Sequence, residues 1–220
     1  DLIADLLEPR ANTIFIDVGA NIGAVTIPLA KTFPDAEVHA FEPNPLAVER
    51  LQRNLVLNKT TNVVLHPVGV GANPGRERLY TASCFEIGNS SFLKPAGSAD
   101  ENKSTAIKVE TLDNCFCVST SKVNGRVGLI KIDVQGYERE VLNGATALVL
   151  RDRPYIVFEH QDENFTSLEE ARDAKHWLLR FFRDNRYTVF YQTHHDPSMM
   201  FLVKWDRPLN GNLLAIPTTP

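Results

Sequence analysis

Ile14-Phe-Ile-Asp-Val-Gly-Ala-Asn-Ile-Gly23 is a short apolar run that ends in a turn with two glycines. This pattern predicts a buried parallel strand, a tight loop and a helix directly behind the loop. Gly19 can adopt backbone angles that are closed to other residues, so a ligand can approach the main chain closely there. Asp17 lies at the carboxyl end of the strand, where open α/β sheets bind their ligands. The stretch therefore predicts an α/β sheet with a nucleotide-like ligand at this turn.

The spacing of the glycines separates two classes of enzyme that use this strand–turn–helix unit. A dinucleotide site needs G-x-G-x-x-G, but the positions of its second and third glycines hold Asn21 and Ala24. The pattern present is D-x-G-x-x-x-G, which resembles motif I of the class I methyltransferases that use S-adenosylmethionine (SAM). An NAD(P)-dependent oxidoreductase is therefore the disfavoured alternative.

A second strand is predicted at 37–41, and it ends at Glu42-Pro-Asn-Pro45. An acidic residue about 20 positions after the glycine turn, at a strand end, is placed to accept both ribose hydroxyls of an adenosine. We predict this role for Glu42. Asn44 can cap the helix that follows, and Pro45 suits its first turn.

The composition excludes several classes of protein. With 220 residues, of which 43% are hydrophobic, the chain suits a single globular domain over 1–220. The net charge of −4 disfavours a nucleic acid as the main partner. No apolar run reaches the 18 or so residues of a membrane span. Three cysteines are too few for a disulfide framework, and Cys115-Phe-Cys117 lacks the second pair that a zinc site requires.

The start of the chain carries no initiator Met and no signal-like apolar segment, so we expect a fragment of a longer protein. The reduced cytoplasm is the default compartment, and the oligomeric state is left open. Residues 1–8 have apolar side chains at helical spacing and predict a short leading helix.

The first half of the chain alternates strands and helices, with helices predicted at 22–32 and 45–57 and a third strand at 63–65. This βαβαβ order predicts a parallel sheet with right-handed crossovers. The pattern breaks in the Ser/Asn/Gly/Pro-rich stretch 84–105, which two short alternating pieces bracket. We interpret 84–105 as an inserted hairpin with a mobile lid, ordered mainly around Ser90 and Ser91; an ordinary surface loop is the alternative.

The α/β order then resumes with a core strand, a helix, a second strand, an amphipathic helix and a hairpin. The predicted strands are 127–132, 154–158, 187–192 and 199–203, and the long helix is 168–185. A hairpin at the end of an otherwise parallel sheet is a specific feature. Its turn, His194-His-Asp-Pro197, has residue types that ligate metals, but adjacent side chains rarely converge on one ion, so no metal site is predicted.

Taken together, these residues resemble the FkbM-type methyltransferases from Ile14 to Pro217. The resemblance is carried by Asp17-Val-Gly-Ala-Asn-Ile-Gly23, Phe41-Glu-Pro-Asn44, Ile130-Lys-Ile-Asp-Val-Gln-Gly-Tyr-Glu138 and Asn212-Leu-Leu-Ala-Ile-Pro217. The third segment is the most specific, because many SAM enzymes share the first two. Gln135 departs from the family, which often has Glu there, and this weakens any assignment of a catalytic carboxylate to that position.

The resemblance implies a Rossmann-like three-layer sandwich, with a mostly parallel sheet of seven strands whose last strand is antiparallel. It also implies SAM as the methyl donor and O-methylation of a hydroxyl on a sugar, a glycan or a small natural product. Gly19, Asn21 and Gly23 would border the methionine part of SAM, and Val68 would lie near the adenine. The full predicted cofactor-binding set is Asp17, Gly19, Ala20, Asn21, Gly23, Glu42, Pro43, Asn44, Val68 and Asp133.

Methylation of an alcohol benefits from a general base, because the hydroxyl has a high pKa. Candidates should lie at the carboxyl ends of the central strands. We predict that Asp133 orients SAM or the acceptor and that Glu159 or His160 takes the proton. A helix-capping role for Asp133 and a surface position for His160 are the structural alternatives. A non-catalytic binding module and an RNA methyltransferase are the rival functions, and the charge balance offers the latter no support.

Overall fold

The computed structural model of the protein describes residues 12–81, 90–92, 104–117, 125–192, 200–202 and 211–218. The predicted leading helix at 1–8, most of the predicted lid at 84–105 and the turn 194–197 lie outside the described residues. No helix in the described ranges combines the length and the apolar character that crossing a membrane requires.

Strands and helices alternate along most of the chain. The strands are β1 (Thr13–Val18), β2 (Glu37–Phe41), β3 (Val63–His66), β4 (Gly69–Val70), β5 (Gly75–Thr81), β6 (Ser90–Ser91), β7 (Ser104–Glu110), β8 (Arg126–Ile132), β9 (Tyr155–His160), β10 (Tyr187–Gln192), β11 (Met200–Leu202) and β12 (Gly211–Pro217). The helices are α1 (Thr26–Thr32), α2 (Pro45–Asn58), α3 (Leu112–Phe116), α4 (Glu138–Asn143), α5 (Thr146–Asp152) and α6 (Leu168–Asp184), with a 3-10 helix at Asp162–Asn164.

The main sheet has the strand order β11-β10-β12-β9-β8-β1-β2-β3. Neighbours from β9 to β3 are parallel, whereas β12 is antiparallel to both of its neighbours, β9 and β10. The predicted seven-stranded sheet with an antiparallel last strand is confirmed. The short strand β11 adds an eighth strand beyond β10 and forms the predicted antiparallel hairpin with it.

Helices cover both faces of this sheet and complete the three-layer sandwich. On one face Phe15 and Leu129 pack with Leu29 and Ala30 of α1. On the other face the core contains side chains from α3 to α6, among them Leu178. Parallel strands that are buried on both faces read as continuous apolar runs, which is the pattern of 14–18 and 127–132.

Two helices differ from their predicted bounds. Helix α1 begins at Thr26, because Asn21 and Gly23 have left-handed φ values of 48° and 93° that a right-handed helix cannot contain. The helix predicted through Val141 and Val149 is divided into α4 and α5 at Gly144. A Cβ at that position would lie 2.1 Å from the carbonyl oxygen of Gly71, so the chain approaches another backbone there.

A second, smaller sheet has the order β4-β7-β5-β6. Strands β5 and β7 pair antiparallel and are the two short alternating pieces that the sequence predicts around the inserted hairpin. Leu79, Ile107 and Val109 form a small core on the inner face of this sheet. The small sheet follows β3 directly and therefore lies at the carboxyl end of the main sheet.

Candidate active site

The turn after β1 is fixed by its backbone. The amide groups of Gly19 and Ala20 both donate to the carbonyl oxygen of Phe41, at 3.0 Å each. Gly19 has a φ of 78°, and a Cβ there would lie 1.9 Å from the carbonyl oxygen of Asp133. Only glycine fits this position, because the strand end carrying Asp133 passes directly against the turn.

Glu42 is clamped at the end of β2 by two main-chain donors. The amide groups of Asn21 and Asn44 donate to its two carboxylate oxygens, at 2.8 Å each. Burial raises the pKa of Glu42, although both hydrogen bonds oppose the shift. A carboxylate can accept about four hydrogen bonds, so each oxygen keeps capacity for a ligand hydroxyl.

Asp17 and Lys131 form a buried ion pair beneath the turn. The Nζ of Lys131 lies 3.2 Å from Asp17 and 3.6 Å from Asp133, and it donates to the carbonyl oxygen of Gly19 at 3.1 Å. Thr26 donates to the other oxygen of Asp17 at 2.6 Å. Burial alone would lower the pKa of Lys131, but the two carboxylates outweigh it and raise the pKa. Asp17 therefore anchors the turn from below.

One cavity of about 570 Å³, partly open to solvent, brings most of the predicted cofactor residues together. The predicted residues that line it are Gly19, Asn21, Glu42, Pro43, Val68 and Asp133. The other four predicted residues do not line it: Asp17, Ala20, Gly23 and Asn44.

The small sheet contributes one wall of this cavity, which the sequence did not predict. Leu79 and Phe92 line the cavity from this side. The Phe92 ring lies 4.7 Å from the ring of Tyr137, and a Cβ on Gly69 would approach it to 2.6 Å. Phe92 directly follows the Ser90-Ser91 pair. An aromatic residue in so polar a segment is the one sequence feature that could have indicated a buried or ligand-facing position there.

A polar cluster connects the ends of β8 and β9. Gln135 donates from Nε2 to Asp133 at 3.0 Å and reaches Glu159 at 3.5 Å, while Gln161 donates to Glu159 at 2.6 Å. Burial and then the charge of Asp133 raise the pKa of Glu159. Gln135 has a φ of 55°, a strained conformation for a residue other than glycine, and such strain is typical of functional sites.

His160 is not part of this cluster. Side chains alternate along a strand, so His160 leaves β9 on the face opposite Glu159. It is 1% exposed, its ring lies 5.6 Å from that of Phe165, and its Nε2 lies 3.4 Å from Asp162. Burial lowers its pKa, which keeps the ring neutral at physiological pH. The structure therefore separates the two residues that the sequence placed together as candidate bases.

Glu138, which ends the third motif, orders the loop after β8. It is 2% exposed and accepts a hydrogen bond from the amide group of Gly136 at 3.1 Å. Burial raises its pKa to about 7, against the opposing effect of hydrogen bonds from the loop backbone. Among the residues that the structure describes, no three His, Cys, Asp or Glu side chains are grouped as metal ligands.

Comparison with known proteins gives a consistent family. The model of the FkbM methyltransferase domain matches residues 17–189. Methyltransferase 1 of Beauveria bassiana is 28% identical over 149 residues, which cover 60% of this chain and 58% of that protein. Hexuronic acid methyltransferase AglP of Haloferax volcanii is 29% identical over 147 residues, which cover 66% of this chain and 56% of that protein. The chain thus spans less than two thirds of the length of these relatives.

Among solved structures, the FkbM methyltransferase of Methylobacillus flagellatus has a TM-score of 0.59 and 18% sequence identity. The match covers 96% of this chain and 45% of that one. At this identity the likeness establishes the fold, and the family match rests on the sequence.

Proposed function

Because the chain belongs to the FkbM methyltransferase family, we propose that it methylates a hydroxyl oxygen of a sugar, a glycan or a small natural product. Family membership implies SAM as the cofactor. The similarity to a hexuronic acid methyltransferase supports a sugar acceptor. We further propose that residues 1–220 act as one methyltransferase domain, with 84–105 as its lid.

One observation carries this proposal: a single cavity is lined by the glycine turn, by Glu42 and by the end of β8. The first two features would bind the cofactor. Asp133 and Gln135 would face the acceptor from the other side of the cavity. The side-chain amide of Gln135 connects Asp133 to Glu159. Cofactor groups and candidate acceptor groups are therefore neighbours.

The residues in the cavity fit SAM chemically. Glu42 presents carboxylate oxygens that can accept from ribose hydroxyls. The Oδ1 atom of Asn21 is buried without a hydrogen-bond partner in the described part of the chain, so it can accept from the ammonium group of a bound amino acid. Apolar side chains of Val68 and Val70 offer a surface for an adenine ring.

When bound, SAM supplies an electrophilic methyl group on a sulfonium. The chain has to hold the acceptor hydroxyl in place, and good positioning supplies several kcal/mol of barrier reduction. Asp133 lines the cavity and can accept a hydrogen bond from that hydroxyl. The ammonium group of Lys131 lies 3.6 Å from Asp133 and forms an ion pair with its carboxylate.

Glu159 is the better candidate for the base. Its raised pKa makes it a stronger proton acceptor than an ordinary glutamate, and it shares the Gln135 amide with Asp133. In this scheme the proton leaves the acceptor oxygen and ends on the Glu159 carboxylate. Gln161 holds Oε1 of that carboxylate at 2.6 Å and so fixes its orientation.

Titration calorimetry with S-adenosylhomocysteine (SAH) tests the cofactor assignment, and we expect one site per chain. A methyl-transfer screen against glycans and small alcohols, with SAH release as the readout, then identifies an acceptor. Failure to bind SAH would favour the non-catalytic alternative. Turnover with an amine but with no alcohol would overturn O-methylation.

Exchanging Glu159 and His160 separately distinguishes the two candidate bases. We expect Glu159→Gln to lower kcat by about 10²–10⁴-fold, because general base catalysis is worth that much, with SAH affinity unchanged. His160→Gln should retain most of the activity. Glu163→Gln, an exposed carboxylate nearby, is the matched control. A large loss in His160→Gln together with an active Glu159→Gln would reverse the assignment.

A further inference from the structure

The outer face of the small sheet carries a row of positive charges. Arg76, Arg78 and Tyr80 alternate along β5, so their side chains leave the strand on the same face, about 7 Å apart. Lys108 of β7 lies directly opposite Arg76 in the antiparallel register. Both arginines and Lys108 are exposed, although the whole chain has a net charge of −4.

This row places positive charges next to one another within the sheet, with Lys108 opposite Arg76. Like charges placed directly opposite each other on antiparallel strands are destabilising. Lys108 has Glu110 at 2.7 Å, but within the described ranges no carboxylate lies within 4 Å of either arginine head group. Arg78 donates to the neutral hydroxyl of Ser104 at 3.0 Å. Arg76 thus faces a like charge and has no carboxylate partner among the residues that the structure describes, and a local rule broken in this way is expected at functional positions.

The two arginines also line a groove next to the cofactor cavity. The groove is shallow and open to solvent, and it is lined by Arg76, Glu77, Arg78, Tyr80, Phe92 and Ala106. Phe92 lines the cofactor cavity as well, so the two sites share a wall. Phe92 follows β6, the edge strand of the small sheet, so a molecule bound in the groove would reach the proposed methyl-transfer site around this edge.

We propose that this groove binds an anionic group, a carboxylate or a phosphate, on the methyl acceptor. The inference rests on the proposed function and narrows the acceptor to an acidic sugar or a sugar phosphate. A guanidinium group presents a planar fork of donors that matches both anions.

The test compares three glycosides that differ in one group: p-nitrophenyl β-D-glucuronide, p-nitrophenyl β-D-glucoside 6-phosphate and the neutral p-nitrophenyl β-D-glucoside. We measure their binding by calorimetry, with and without SAH. At least one anionic glycoside should bind about ten-fold more tightly than the neutral one. The preferred anion identifies the carboxylate or the phosphate as the natural group.

The double variant Arg76→Gln/Arg78→Gln should weaken binding of that anionic glycoside by about ten-fold and leave the neutral glycoside unaffected. Arg50→Gln/Arg53→Gln, which removes two exposed arginines from α2, is the matched control. The Tm of the Arg76/Arg78 variant should stay equal or rise by about 1–3 °C, because Lys108 loses its like-charged neighbour. A purely structural role for the arginines would lower the Tm instead.

Equal binding, or no binding, of the three glycosides would overturn the inference, as would equal losses in the control variant. If the unmodified protein does not bind SAH, the proposed function is overturned instead. Because the glycosides are also titrated without SAH, the two failures can be told apart.

Discussion

Glu42 and Glu159 stand at the ends of β2 and β9, and the chain holds them by different means. Backbone amide groups clamp Glu42, at 2.8 Å to each carboxylate oxygen. Side-chain amides of Gln135 and Gln161 hold Glu159. Backbone donors stay in place when side chains change, whereas a glutamine is altered by one substitution. The proposed cofactor side is thus held by the main chain (the main-chain half of the site), and the proposed acceptor side is held by exchangeable side chains (the side-chain half).

The largest effect should come from disturbing the main-chain half at Gly19. In Gly19→Ala the added methyl group would lie 1.9 Å from the Asp133 carbonyl oxygen, on a residue with a φ of 78°. We expect the free energy of unfolding to fall by about 2–5 kcal/mol and SAH binding to be lost. Urea unfolding and calorimetry measure both effects. Gly75→Ala, whose new Cβ meets nothing within 4 Å, is the control, and equal behaviour of the two variants would contradict the steric argument.

A smaller effect is expected when the clamp at Glu42 is changed but the turn is kept. In Glu42→Gln an amide NH₂ replaces one carboxylate oxygen, so either Asn21 or Asn44 loses its acceptor. We expect SAH affinity to fall by about 10–100-fold, which corresponds to roughly 1.5–3 kcal/mol. Glu49→Gln, on the exposed face of α2, controls for the loss of charge. Unchanged affinity in Glu42→Gln would show that the clamp has no part in binding.

The smallest effect should come from Gln135→Glu, which tunes the side-chain half. A third carboxylate beside Asp133 and Glu159 raises the pKa of Glu159 further, because like charges favour the protonated form. Since the base must be ionised, kcat rises with pH through this pKa, and the rising limb should move up by about one pH unit. The pH dependence of kcat is measured with the best acceptor from the screen. Gln52→Glu, exposed on α2, should leave the limb in place.

The main-chain half could be predicted from sequence because its geometry restricts residue type. Gly19 is required by a close backbone approach, and Glu42 is identified by its distance from the turn along the chain. The positions of Phe92 and Lys131 in the site could not be predicted. Phe92 reaches the cavity through the small sheet, and Lys131 reaches Asp17 because β8 pairs with β1. These contacts join residues that are far apart in sequence, and no local pattern encodes them.

Glu159 and His160 show a case in which a local pattern was available. They are consecutive residues of one strand, so period-two alternation places them on opposite faces. Exposure alternates along β9 from Tyr155 to His160, and His160 falls on the buried side. Applying the same rule to the predicted strand end would have placed Glu159 and His160 on opposite faces of the sheet.

The position of β12 has a consequence for how the chain reaches its final form during synthesis. β12 inserts between β9 and β10, and both of these strands leave the ribosome before it. Until residues 211–217 emerge, a slot stays open between the two strands, and the backbone of Glu159 lacks its partner Asn212. Strands β1, β2 and β8 precede β12 in the chain and can pair with one another earlier. Completion of the sheet around Glu159 therefore waits for a late, long-range pairing step, which is the slow kind in folding.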